Sequence, residues 1–230
     1  MQGDDAMTGG VHEYVQERGV HSGKAELPRF ITFEGIDGCG KSTQAALLAE
    51  DLEHAGYDVL LLREPGGVRI SEKIRALLLD PANAEMSDTC ELLLYEAARA
   101  QLVHEIVAPA LAAGRLVVCD RFYDSTTAYQ GYANGMELVA VKRANALAVG
   151  SCRPDLTLVF DIEPEVAARR AAERDGSPDR MEAKGLAYQT RVAEGFRAIA
   201  ASEPERVRRI DASRTIAEIH ADVRSCVGLQ

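Results

Sequence analysis

The stretch "FEGIDGCGKST", residues 33–43, packs three glycines, a lysine and two hydroxyls directly behind a short apolar run. From Gly35 through Ile36, Asp37, Gly38, Cys39 and Gly40 to Lys41 and Ser42 the spacing is G-x-x-x-x-G-K-[ST], the form of a loop that joins a strand to a helix and cradles phosphate. Glycines let such a loop curl until successive N–H groups face inward, and the N-terminus of the next helix adds partial positive charge. Lys41 is placed to reach the β and γ phosphates of a nucleotide, Ser42 to ligate Mg2+ and Thr43 to touch the α phosphate. A merely tight turn needs neither the lysine nor the hydroxyl beside it.

The flanks agree with this reading. Apolar runs begin at Phe30 (FITF), Asp58 (DVLLL), Arg115 (RLVVC), Leu156 (LTLVF) and Arg206 (RVRRI), and helical stretches fill the gaps between them. The middle runs are nearly continuous rather than alternating, as strands covered on both faces of a parallel sheet should be. That is an α/β pattern with five strands. After Lys41, the residues Ala45, Leu48, Ala49, Leu52 and Ala55 share a helix face that Gly56 ends. Residues 88–112 predict a long helix stopped by Gly114, its last turn shortened or kinked at Pro109. Thr215 and Glu218 have capping-box spacing ahead of Ile216, Ile219, Val223 and Val227.

Composition narrows the function classes. At 230 residues, with 47% hydrophobic and 27% charged residues, the chain reads as one globular unit from residue 29 to 230. A formal charge of −10 argues against a nucleic-acid or anionic-membrane partner, so an anionic ligand has to be held by a local cluster. No run is long enough for a membrane span, and five cysteines without C-x-x-C pairing fit a reducing cytoplasm. Residues 1–28 are polar and lack hydrophobic period, and read as a mobile extension.

Two further motifs lie at the carboxyl ends of strands, where open α/β sheets bind ligands. Arg63-Glu64-Pro65-Gly66-Gly67 follows the second strand, and Asp120-Arg121-Phe122 continues into Tyr123-Asp124-Ser125 and Tyr129-Gln130-Gly131 after the third. With "LLLYEAARAQ", "RPDLTLVFDIEPE", "RRAAERDGSPDRME" and "IDAS" in order, the chain over about residues 29–228 resembles the thymidylate kinase family. The resemblance implies a P-loop three-layer α/β/α fold of the nucleoside monophosphate kinase type with a lid. It implies phosphorylation of dTMP to dTDP with Mg-ATP, and a homodimer.

It also implies roles residue by residue. Arg63 and Arg121 match arginines that hold the acceptor phosphate, and arginine suits this work because its planar fork binds phosphate through two donors. Asp120 stands as the acid that organises Mg2+ with Ser42, while Lys41 and Arg121 stand as catalytic groups. Tyr95 and Arg99, spaced i and i+4 on one helix face, match the pair that stacks on thymine and binds its edge. Asp37 and Glu64 match carboxylates near the acceptor sugar, while Ser125, Tyr129 and Gln130 match residues against sugar and base.

The stretch from about 169 to 183 resembles the family's lid. A small residue at Gly38 sides with the bacterial-type subgroup, whose lid supplies catalytic arginines, here Arg174 and Arg180. Leu138, Val141, Asn145 and Ala148 form a helical stretch compatible with pairing or with burial against the sheet. Cys39 stands beside the positive end of a helix, a place that lowers a thiol pKa, so thiol reagents are expected to block the site unless ATP protects it. Alternatives are another pyrimidine monophosphate kinase on this scaffold, or a nucleotide-binding switch that would have no use for a second anion clamp.

Overall fold

The computed structural model describes residues 27–173 and 179–229. The expected extension before residue 27, and Arg174 in the lid stretch, lie outside the described residues.

Each of the five apolar runs forms a strand. They are β1 (Phe30–Glu34), β2 (Val59–Arg63), β3 (Leu116–Asp120), β4 (Leu156–Asp161) and β5 (Val207–Asp211), all parallel in the order β2-β3-β1-β4-β5. Every residue of β1 is buried, and β3 and β4 are buried except at their final aspartates. The edge strands β2 and β5 are only partly buried: Leu61 on β2 is 46% exposed, and on β5 Val207 and Ile210 are buried while Arg208, Arg209 and Asp211 are exposed. Burial on both faces holds for the three central strands. The run at residues 59–62 is unbroken in apolar residues, yet β2 is an edge strand and half-exposed, whereas the central β1 and β4 each bury a threonine, Thr32 and Thr157.

Helices α1 (Lys41–His54), α2 (Arg69–Leu79), α3 (Asp88–Leu102) and α4 (Ala108–Ala112) precede β3. The α1 face buries Ala45, Leu48, Ala49 and Leu52, while Ala55 is exposed where Gly56 turns the chain away at φ 85°. The long helix expected over 88–112 is three pieces, because a wide π turn at Val103–Val107 separates α3 from α4. Pro109 has no N–H to give to the turn before it, and the widened turn takes up that missing bond.

After β3 come α5 (Tyr123–Thr126), a second π stretch at Thr127–Ala133, and α6 (Leu138–Val149). On α6 Val141, Asn145 and Ala148 are buried within the chain, whereas Val139 and Leu147 point outward. Of the stretch that sequence left open between pairing and burial, Val141, Asn145 and Ala148 thus pack within the chain and Leu138 is partly exposed. The last helices are α7 (Pro164–Ala172), α8 (Leu186–Ser202) and α9 (Ile216–Val227), and both halves of the Thr215–Glu218 capping box form. Ile219, Val223 and Val227 are buried on α9, but Ile216 is 60% exposed.

From β1 the chain moves through α1 toward one edge of the sheet, and from β3 it crosses to β4 on the other side. The carboxyl ends of the adjacent strands β1 and β3 flank the switch point, where such sheets open a crevice.

Candidate active site

The phosphate loop hangs from the buried end of β1. Gly38 sits at φ 84° with its Cα against α7, and a Cβ there would stand 2.1 Å from the Ala167 carbonyl oxygen. Only glycine fits, which is the steric reason this chain cannot carry a basic side chain at that position. Lys41 at the start of α1 is buried, its Nζ 3.4 Å from the Ile36 carbonyl oxygen and 3.6 Å from Asp37 Oδ1. With so little holding it inside the loop, the ammonium is available to phosphate.

From the end of β3, Asp120 accepts a short hydrogen bond from Ser42 Oγ, and its Oδ1 is buried with no partner. A hydroxyl and one spare carboxylate oxygen at the mouth of the loop fit Mg2+, which takes few protein ligands and completes its shell with water and phosphate oxygens. Among the described residues no group of three His, Cys, Asp or Glu gathers into an all-protein cage.

Arg121 is the one non-glycine residue at positive φ among those described, at 69°. Such a conformation persists only where its surroundings impose it. Its Nη2 donates to Asp37 Oδ1 at 2.6 Å, its Nη1 to the Gly35 carbonyl at 2.9 Å and Ser125 Oγ at 3.1 Å, and its guanidinium lies 5.3 Å from the Tyr129 ring centre. Beneath it, buried Glu34 accepts from the Phe122 N–H at 2.8 Å and from Ser125 Oγ at 2.6 Å. Burial, then the neighbouring Asp124, pushes the Glu34 carboxyl up to about 8.

These groups share a cavity of about 260 Å³ with the acceptor-side residues. Arg63, Glu64, Tyr95, Arg99, Ser125, Tyr129 and Gln130 all line it, as do Asp37, Lys41, Ser42, Asp120 and Arg121. Arg63 pairs with Glu72 at 3.0 Å on a half-open surface, an ion pair of about 0–1 kcal/mol that a phosphate can readily displace.

Arg99 is held differently. Its Nε and Nη2 each lie 2.8 Å from Glu64 Oε2, Nη1 meets Glu96 and Thr126 Oγ1, and Nη2 also donates to the Phe122 carbonyl at 3.2 Å. All five donors are engaged, with two carboxylates around one guanidinium. Burial, with Glu96 nearby, raises Glu64 to about 7 against the pull of Arg99. Burial works against the charge on Arg99, but Glu64 and Glu96 hold its pKa above the ordinary value.

A family model described as thymidylate kinase matches residues 33–223. The thymidylate kinase of Syntrophotalea carbinolica is 46% identical over 195 residues, 83% of this chain and 90% of the relative. That of Geobacter sulfurreducens is 50% identical over 187 residues, 79% of this chain and 88% of the relative. The crystal structure of thymidylate kinase from Ehrlichia chaffeensis superposes with a TM-score of 0.69 at 36% identity, covering 85% of this chain and 96% of that one. The chain belongs to the thymidylate kinase family.

Within this thymidylate kinase fold, some placements depart from sequence expectation. Arg180, expected as a catalytic lid arginine, is buried; its Nε donates to the Leu78 carbonyl at 2.7 Å and its Nη1 lies 2.6 Å from Glu91 Oε2. Its guanidinium anchors the end of the lid stretch to α2 and α3 and is absent from the cavity lining. Cys39 is only 1% exposed and its thiol meets the underside of Gly35, so burial pushes its pKa up, the reverse of the lowered thiol expected from the helix terminus. Of the loop's other members, the Gly35 and Ile36 carbonyls accept from Arg121 and Lys41, Gly40 stands at positive φ just before α1, and Thr43 is exposed on the first turn of α1.

Sequence reasoning missed Arg75 and Thr126 altogether, and within the expected lid stretch it singled out Arg180 rather than Asp179, Met181 and Glu182, which line the cavity. Arg75 Nη1 and Arg63 Nη1 both donate to the Pro65 carbonyl, at 2.8 and 3.1 Å. Burial and the adjacent Arg63 lower the Arg75 pKa. Two cations gathered on one carbonyl beside a cavity call for an anion. No local sequence signal marks Arg75; in the structure Glu72 holds Arg63, and Arg75 lies one turn further along α2.

Proposed function

We propose that the chain transfers the γ-phosphoryl group of ATP to the 5′-phosphate of dTMP, giving ADP and dTDP. The observation that carries this is the single cavity in which Lys41, Ser42 and Asp120 face Arg63, Arg75 and Arg121. Two anions must be brought end to end despite their repulsion, and such catalysis is mostly positioning and charge stabilisation.

Lys41 and the loop N–H groups hold the donor's phosphates. Ser42 and Asp120 are the residues that would hold Mg2+, which when bound neutralises charge between the phosphates. Arg63 and Arg75 take the acceptor phosphate, and Arg121, tied to the loop through Asp37, lies between the two charges. Tyr95 and Gln130 receive the base, with Arg99 beneath them shaping the wall, while Glu64, Ser125 and Tyr129 bound the sugar. Arg174 would supply further charge from the lid.

Cytoplasmic placement belongs to the proposal, supported by five free thiols. So does a homodimer, for which the outward apolar residues Leu93 on α3 and Val139 and Leu147 on α6 supply contact surface. ADP release measured with and without dTMP tests the reaction. A rate that rises by orders of magnitude on adding dTMP supports it, and a rate indifferent to dTMP contradicts it.

A further inference from the structure

Glu91, on α3, is 1% exposed and lies behind the cavity wall. Its carboxylate is ringed by donors: Oε1 accepts from Gln130 Nε2 at 2.7 Å and Asn134 Nδ2 at 3.1 Å, and Oε2 pairs with Arg180 Nη1 at 2.6 Å and Lys184 Nζ at 3.2 Å. An ionised carboxylate only accepts. Gln130 must therefore turn its NH2 end to Glu91, which leaves its carbonyl oxygen to the other side. Gln130 lines the cavity together with Tyr95 and Tyr129, and among the described residues no hydrogen bond reaches that oxygen.

We propose that Glu91 is a positioning residue that fixes which end of the Gln130 amide the acceptor's base meets, and so selects a pyrimidine bearing N–H at N3. This rests on the reading above that places the base against Gln130. Thymine and uracil carry a proton on N3 and can donate to a carbonyl oxygen. Cytosine carries a bare N3 lone pair, which faces that oxygen with repulsion and leaves both acceptors unpaired, the kind of mismatch a hydrogen-bonding site rejects strongly.

The cations behind Glu91 keep the arrangement in place. Burial works against its ionised form, but the hydrogen bond from Gln130 and the charges of Lys184 and Arg180 hold its pKa below the ordinary value. Arg180 thus acts on the acceptor site through Glu91 without touching it. With Gln at position 91, Arg180 and Lys184 claim the one carbonyl oxygen, the new NH2 faces Gln130, and the Gln130 amide turns over to present its own NH2 to the base.

The test compares kcat/KM for dTMP and dCMP in the wild type, Glu91→Gln and Gln130→Leu. Glu91→Gln is expected to raise the KM for dTMP about tenfold or more and to narrow the dTMP:dCMP ratio by at least that factor, with the KM for ATP little changed. A ratio that stays at its wild-type value in Glu91→Gln, while Gln130→Leu narrows it, overturns the orienting role and leaves the base placement standing. A ratio unmoved by Gln130→Leu overturns the base placement itself, and the proposal with it. Should Glu91→Gln fail to fold, a crystal structure of the wild type with dTMP decides. Gln130 still on Glu91, with its other terminal atom in hydrogen-bond range of N3, upholds the proposal, and Gln130 swung away from Glu91 overturns it.

Discussion

Arg121 reaches across from the end of β3 to Asp37 in the phosphate loop, Nη2 to Oδ1 at 2.6 Å. The same Asp37 oxygen lies 3.6 Å from Lys41 Nζ, so donor-side and acceptor-side cations are set from one carboxylate. Asp37→Asn keeps the shape and weakens both charge contacts. The variant should lower kcat by about 10²-fold or more, the scale of losing one preorganised charge contact, with the melting temperature little moved. A change confined to KM would show that Asp37 only binds.

Lys41→Met should lose turnover by a factor of about 10²–10³ while folding normally. The side chain is buried, and among the described residues its one hydrogen bond is long, at 3.4 Å. Steady-state kinetics beside a thermal melt check both halves, and retained turnover would mean that the loop holds no nucleotide phosphate.

Arg99→Ala strips the one guanidinium that, among the described residues, pairs with the buried carboxylates Glu64 and Glu96; Glu64 Oε1 and Glu96 Oε2 are already without a hydrogen-bond partner there. Breaking such a pair by removing one side costs about 3–5 kcal/mol. Denaturant unfolding should show that loss in addition to a raised KM for dTMP. An unchanged unfolding midpoint would contradict the buried triad.

Glu64 gives a pH signature. Its folded pKa, about 7, lies above the ordinary 4.5, so the folded state holds a proton that the unfolded chain has released. Stability from this group is complete below about 4.5 and is lost as pH rises to about 7. The stability of the wild type relative to Glu64→Gln should therefore fall over that window and level off above it. A difference that is flat with pH would show Glu64 ionised throughout.

Arg75→Ala should raise the KM for dTMP about tenfold or more and leave that for ATP nearly unchanged, since Arg75 and Arg63 converge on the acceptor side of the cavity. Equal effects on both substrates would place Arg75 in general packing.

Much of this was legible in the sequence because it is local. The loop spacing, the short apolar runs that become the five strands and the Thr215–Glu218 box each depend on residues within a few positions of one another. What stayed hidden depends on partners distant in sequence. Nothing near Arg180 shows that Glu91 on α3 will claim it, so a basic lid stretch reads as free charge. The helix terminus beside Cys39 is visible in sequence, whereas the direction of its thiol into the core is set by how Gly35 packs on β4. Arg75 reads as one more surface charge until Pro65 brings it beside Arg63.

The most direct test of a shared cavity is competition by one molecule that spans it, adenosine and thymidine joined 5′ to 5′ through five phosphates. Such a compound should compete with ATP and with dTMP alike and bind more tightly than either. Competition with only one substrate, or simultaneous binding of the compound and dTMP, would contradict the account.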